Sequence, residues 1–136
     1  MENITKSTEE TKKIAIEIAK KIKPGTTVAL YGDLGSGKTT FTRYFVQALG
    51  IENRVQSPTF VVARKYGDIN HVDLYRLTTE EEAVDIGIEE MLEDIDKITI
   101  IEWPEIIEEL LPEETIKIYF EYIDENTRKI TIKNLH

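Results

Sequence analysis

Apolar positions recur along this chain with two alternating periods. From Thr8 onward, Ile14, Ile18 and Ile22 stand four residues apart, with Ala15 and Ala19 beside them. That stripe predicts an amphipathic helix running to about Lys21. Ser7 and Glu10 form a capping box at its start, and Lys23-Pro24-Gly25 ends it. Thr26 to Tyr31 reads as a short buried strand. Helical spacing then returns in Phe41, Phe45, Ala48 and Leu49, and Gly50 sits where a C-terminus is expected. Phe60 to Ala63 reads as a strand, Tyr66-Gly67-Asp68 as a turn, and Ile69 to Leu74 as a strand that can pair back in a hairpin. Two-residue alternation puts His71 and Asp73 on one face of it, Val72 and Leu74 on the other.

The second half continues the pattern. Thr78 or Thr79 caps a helix whose first turn carries Glu80, Glu81 and Glu82 and whose buried side is Ala83, Val84 and Ile86. Gly87 interrupts, and Ile88, Met91 and Leu92 suggest a second short helix. Ile98 to Ile101 is an apolar run ending in Glu102. Pro104 opens a segment with Ile106, Ile107, Leu110 and Leu111 at helical spacing, stopped by Pro112. Thr115 to Ile123 and Arg128 to Lys133 alternate around Asp124-Glu125-Asn126, the pattern of a terminal hairpin. At 136 residues, without repeats or a low-complexity linker, residues 1–136 are expected to form a single domain.

The chemistry begins between the first strand and the second helix. Gly32-Asp33-Leu34-Gly35-Ser36-Gly37-Lys38-Thr39 matches G-x-x-x-x-G-K-T, the phosphate-binding P-loop pattern, in the strand–loop–helix context it requires. Glycines let the backbone aim successive N–H groups at one phosphate chain, and the following helix adds unpaired N–H groups and its positive dipole end. Lys38 has the reach for β- and γ-phosphates, and the Thr39 hydroxyl suits Mg²⁺.

Charge and composition narrow the partners. Asp and Glu number 26 against 17 Lys and Arg, a net charge of -9. That field repels tRNA or duplex DNA, and no basic patch offsets it, so direct nucleic-acid binding is not expected. The absence of cysteine excludes disulfides and thiolate sites. No apolar run nears the ~18 residues that span a bilayer, and Met1 to Lys6 lacks a signal-peptide core, so a cytoplasmic protein with no membrane partner is expected.

A nucleotide-hydrolysing site also needs an acid near Mg²⁺ at the end of a buried strand. Glu102 follows the stronger apolar run, Asp73 a more polar one. Thr59, in the first loop after the P-loop helix, occupies the place of a switch threonine that senses Mg²⁺ and the γ-phosphate. His71 can hydrogen-bond Asp73 on their shared face. Trp103 can be core, shield the site or engage a partner. A transition-state arginine can come from Arg43, Arg54, Arg64, Arg76, Arg128 or a partner.

Taken together, Gly32 to Thr40, Ser57-Pro58-Thr59, His71-Val72-Asp73-Leu74-Tyr75-Arg76 and Glu102-Trp103-Pro104 resemble the TsaE family, small bacterial ATPases of tRNA threonylcarbamoyladenosine biosynthesis. The resemblance covers nearly the whole chain. Ser36 stands where many members have alanine, a small-for-small change. The resemblance implies an α/β P-loop NTPase fold with a mainly parallel central sheet flanked by helices. It implies ATP hydrolysis with ATP held by Gly35, Ser36, Gly37, Lys38, Thr39 and Thr40, and Mg²⁺ held by Thr39 and Glu102. It implies that Asp73 and Trp103 matter for activity or coupling, and it places Arg128 and residues near Thr8 beside the adenine. Its partners are TsaB and TsaD, with which it supports threonylcarbamoyl transfer to adenosine 37 of ANN-decoding tRNAs, and tRNA is met only through them.

Three other classes are weighed. A small-molecule P-loop kinase needs an acceptor pocket and usually an arginine-rich lid, whereas the stretch after Glu102 is short and acidic. A GTPase needs D-x-x-G after the first switch and N-K-x-D for guanine, and neither is present. A nucleotide-gated binding module shares every residue above and differs from an ATPase only in turnover.

Overall fold

The computed structural model describes residues 1–33, 35–50 and 63–135. The chain opens with β1 (Glu2–Thr5) and α1 (Thr8–Ala19), then β2 (Thr27–Tyr31) and α2 (Lys38–Ala48). A hairpin of β3 (Ala63–Tyr66) and β4 (Ile69–Asp73) leads to two short helices, α3 (Glu80–Asp85) and α4 (Ile88–Glu93). β5 (Ile98–Glu102), a 3₁₀ helix (Pro104–Leu110) and a hairpin of β6 (Ile116–Asp124) and β7 (Thr127–Lys133) complete it.

The described strands form one seven-stranded sheet in the order β1-β7-β6-β2-β5-β4-β3. Its centre, β6-β2-β5-β4, is parallel, and antiparallel strands flank it on both sides. Central parallel strands are covered on both faces and therefore read as continuous apolar runs. β5, Ile-Thr-Ile-Ile-Glu, is buried at all five positions, and β2 at its first four.

Helices cover the two faces with separate cores. On one face Val28, Leu30, Ile100 and Ile118 pack against Ala15 and Ile18 of α1 and Phe41 and Phe45 of α2. On the other, Val72, Leu74 and Ile101 meet Ala83, Ile88 and Ile107. Register partners on parallel strands share a face. Leu30 and Asp73 both pair with Glu102, so the two acids lie on the face that carries the P-loop helix.

Several elements differ in detail from their sequence pattern. α1 stops at Ala19 and not at Lys21. Ser7 Oγ accepts from Glu10 N–H at 3.2 Å, as a capping box requires, but the Glu10 carboxylate accepts from the N–H of Lys6 and not of Ser7. Thr79, rather than Thr78, is the α3 N-cap, with the reciprocal Glu82 bond in place. The stretch after Pro104 is a 3₁₀ helix broken at Ile107 (φ -117°, ψ 19°) instead of an α-helix. Within it Glu108 accepts from Tyr31 Oη and Lys117 Nζ, both at 2.6 Å. β1 was not foreseen, because its four residues pair with β7 at the far end of the sequence. The predicted hairpin of β3 and β4 is present with shifted bounds: β3 runs to Tyr66, expected in the turn, and β4 stops at Asp73, while residues 60–62 lie outside the described region.

Among the described residues no helix is long and apolar enough to cross a membrane.

Candidate nucleotide site

The site is built at the C-terminal ends of β2, β5 and β4, where doubly wound sheets place their ligands. β2 delivers the chain to Gly32, whose φ of 148° and close surroundings exclude a side chain. A Cβ there would stand 2.7 Å from the Phe120 carbonyl oxygen and 2.8 Å from Ser36 Oγ. Gly37 follows in the left-handed region at φ 103° and forms the N-cap of α2. It offers no side-chain cap, and the first turn of α2 carries no acid. Among the described residues, no side-chain cap and no first-turn acid therefore offset the unpaired N–H groups and positive dipole end.

Two side chains of this loop are buried without hydrogen-bond partners among the described residues, Ser36 Oγ and Lys38 Nζ. Lys38 is only 5% exposed. Its ammonium instead lies over the Trp103 indole, 3.7 Å from the ring centroid. Burial lowers the Lys38 pKa, opposed by the fields of Glu102, Glu105, Asp73 and Asp33. None of these acids hydrogen-bonds the ammonium. Trp103 also pairs with Tyr75, ring centroids 4.9 Å apart and planes tilted by 48°, and its own backbone is left-handed at φ 56°, ψ 56°. A non-glycine residue held there stores strain of order 1–3 kcal/mol.

Glu102 and Asp73 face Lys38 from adjacent strand ends. Glu102 is 3% exposed and accepts a 2.7 Å hydrogen bond from His71 Nε2. The expected His71–Asp73 pairing is therefore replaced by a His71–Glu102 pair across the strands. Asp73 instead accepts from the N–H of Tyr75 at 2.9 Å. Burial pushes the Asp73 carboxyl above its ordinary range, and the Glu102 charge adds to that. Thr39 is exposed at the start of α2. Gly35, Ser36, Gly37, Lys38, Thr39 and Thr40 are contiguous in the loop and helix start. Thr59 lies outside the described residues.

Arg128 approaches from β7. Its Cγ would be 3.9 Å from a Cβ on Gly37, and its guanidinium donates to the carbonyls of Asp124 and Thr127 while lying over Tyr122. It borders a cleft of about 160 Å³ with Thr8, Thr11, Gly37, Thr40 and Asn126. The β1–α1 junction thus stands beside the loop, a placement no local pattern revealed. The pairing of β1 with β7 brings it there.

This fold and loop define the chain as an α/β protein of the P-loop NTPase fold. The chain belongs to the TsaE family: the family model described as "Threonylcarbamoyl adenosine biosynthesis protein TsaE" matches residues 5–130. The tRNA threonylcarbamoyladenosine biosynthesis protein TsaE of Bacillus subtilis is 41% identical over 131 residues, covering 93% of this chain and 81% of that one. The protein of the same description from Rickettsia felis is 42% identical over 134 residues, covering 95% and 77%. The crystal structure of Bacillus subtilis YdiB superposes with a TM-score of 0.82 at 34% identity, covering all of this chain and 86% of that one.

Proposed function

We propose that this chain is a Mg²⁺-dependent ATPase that serves tRNA threonylcarbamoyladenosine biosynthesis, as its relatives' names describe. The observation that carries the nucleotide reading is the pair of buried, unpartnered groups Ser36 Oγ and Lys38 Nζ beside an uncapped helix N-terminus. Buried polar groups are normally satisfied, and a triphosphate supplies the acceptors this loop lacks. Gly35 to Thr40 bind the phosphates, Lys38 reaches the β- and γ-oxygens, and the cleft of Thr8, Thr11 and Arg128 receives the base and ribose.

Thr39 and Glu102 are the residues that would hold Mg²⁺, which when bound neutralises charge on the β- and γ-phosphate oxygens. Glu102, buried, and Asp73, half-buried, lie on one face at adjacent strand ends and have the oxygen chemistry that Mg²⁺ would take. Among the described residues no three His, Cys, Asp or Glu side chains converge on one point. Mg²⁺ in such sites is held by one or two carboxylates with substrate phosphates and water. Asp73, Glu102 and Thr59 are proposed to orient the attacking water and sense the γ-phosphate. Lys38 must exchange the Trp103 ring for phosphate as ATP enters.

The net charge of -9 disfavours direct tRNA contact, and we assign that contact to TsaB and TsaD partners. Phosphate release from ATP and GTP, by this chain alone and with a purified TsaB–TsaD pair, tests the reading. We expect ATP-selective turnover stimulated by the pair, absent in Lys38→Ala and reduced more than ATP binding in Glu102→Ala. Binding without turnover under every condition refutes the ATPase and leaves a nucleotide-gated module. Phosphate transfer to a small acceptor moves the chain to the kinases.

A further inference from the structure

We propose that His71 is a positioning residue for Glu102: its Nε2–H fixes one carboxylate oxygen so that the other is presented to the metal side of the site. The inference rests on the Mg²⁺–nucleotide reading above and assigns a part to a residue that reading leaves unused.

The geometry is specific. His71 and Glu102 are 1% and 3% exposed, and their side chains meet at 2.7 Å from adjacent parallel strands. His71 pairs in register with Ile100, and Glu102 lies two residues further along β5. The two side chains therefore share a face, with the imidazole one step deeper in the sheet than the carboxylate. A glutamate has three side-chain torsions, and an unanchored one samples several positions at its tip. Committing Oε2 to the imidazole leaves Oε1 as the oxygen to offer the loop. Asp73 is treated in the same way, its Oδ1 anchored by the N–H of Tyr75 at 2.9 Å. Both acids that face Lys38 are thus anchored from within the protein.

Stability alone is a weak reason for this pair. A buried ionic or polar pair is often no more stabilising than apolar residues of the same volume. The positions of β4 and β5 that share their face, Ile69, Ile98 and Ile100, are apolar. A pair at the strand ends opposite Lys38 has its explanation in orientation. Partners that orient a ligating carboxylate change metal affinity by roughly 10–100-fold when removed.

The test uses the full chain, a non-hydrolysable ATP analogue and Mn²⁺ followed by electron paramagnetic resonance, Mn²⁺ sharing the oxygen preference of Mg²⁺. His71→Leu removes the donor, and His71→Gln keeps an N–H of similar reach. We expect His71→Leu to weaken Mn²⁺ binding to the analogue complex by roughly 10–100-fold. Analogue binding in EDTA should stay at the wild-type level, and His71→Gln should recover most of the Mn²⁺ affinity. If His71→Leu does not fold, His71→Asn, polar but too short to reach Glu102, carries the same expectation. The inference is overturned if these variants bind Mn²⁺ like wild type. It is also overturned if metal-free analogue affinity falls in parallel, which marks a structural role, or if Gln rescues nothing. Wild type that binds neither analogue nor Mn²⁺ refutes the nucleotide reading itself, an outcome distinct from wild type binding both and His71→Leu matching it.

Discussion

Replacing Lys38 with methionine should separate what this residue does for the fold from what it does for a ligand. The Lys38 ammonium is buried, has no hydrogen-bond partner among the described residues, and rests on the Trp103 ring at 3.7 Å. Burying a polar group unsatisfied costs about 1–3 kcal/mol, and more when it is charged. The cation–π contact returns about 2 kcal/mol at a desolvated site. Methionine removes both terms together with the attraction of Glu102, Glu105, Asp73 and Asp33, which burial outweighs, keeps most of the chain volume and gains about 0.3–1.5 kcal/mol from sulfur on the indole. The ligand-free Lys38→Met protein should therefore be as stable as wild type or more stable by about 1 kcal/mol, a rise of roughly 3 °C in Tm for a chain of this size. Ligand reverses the order. At a hundred times Kd, ATP–Mg²⁺ should stabilise wild type by about 2.7 kcal/mol and the variant not at all. Scanning calorimetry with and without nucleotide reads both effects. A ligand-free variant that melts roughly 6 °C or more below wild type, about 2 kcal/mol at this size, would refute the reasoning, because it would make the ammonium a structural tie.

Three further outcomes follow from the geometry. Asp73→Asn should stabilise the ligand-free protein at neutral pH, and the gain should vanish in acid. The native carboxyl binds its proton more tightly than the unfolded one, so its charge is penalised only as pH rises above the ordinary value of 3.8. Urea unfolding at pH 4 and pH 7 checks this, and equal differences at both would contradict it. Gly32→Ala should abolish nucleotide binding while leaving a folded chain, since its Cβ would collide with the Phe120 carbonyl and Ser36 Oγ; calorimetric titration and circular dichroism report the two. Thr79→Ala should cost about 1 kcal/mol in urea unfolding by removing the α3 cap, with no effect on nucleotide affinity, because α3 packs on the opposite face of the sheet.

Local pattern was enough wherever one segment carries its own physics. The glycine loop needs only its residue types and its place between an apolar strand and a helix, so Gly32 to Thr39 were legible from spacing. The Ser7 cap, the threonine cap of α3 and the β6–β7 hairpin are likewise short-range hydrogen-bond devices. Glu102 and Asp73 were visible as acids ending apolar runs, because a strand interior and its polar end differ in composition.

Tertiary structure decided what depends on which strands become neighbours. Insertion of β5 between β2 and β4 puts Glu102 beside both the P-loop strand and Asp73. Alternation along β4 correctly put His71 on the face of Asp73, but only the adjacent strand supplied its actual partner, Glu102. The Lys38–Trp103 stack joins residues 65 positions apart and needs a left-handed backbone at Trp103 that no propensity favours. The pairing of β1 with β7, which brings Thr8 and Arg128 to one cleft, joins the two ends of the chain. Periodicity reports burial and local conformation; contacts across such sequence distances are selected by the packing of the whole sheet, which no window of residues contains.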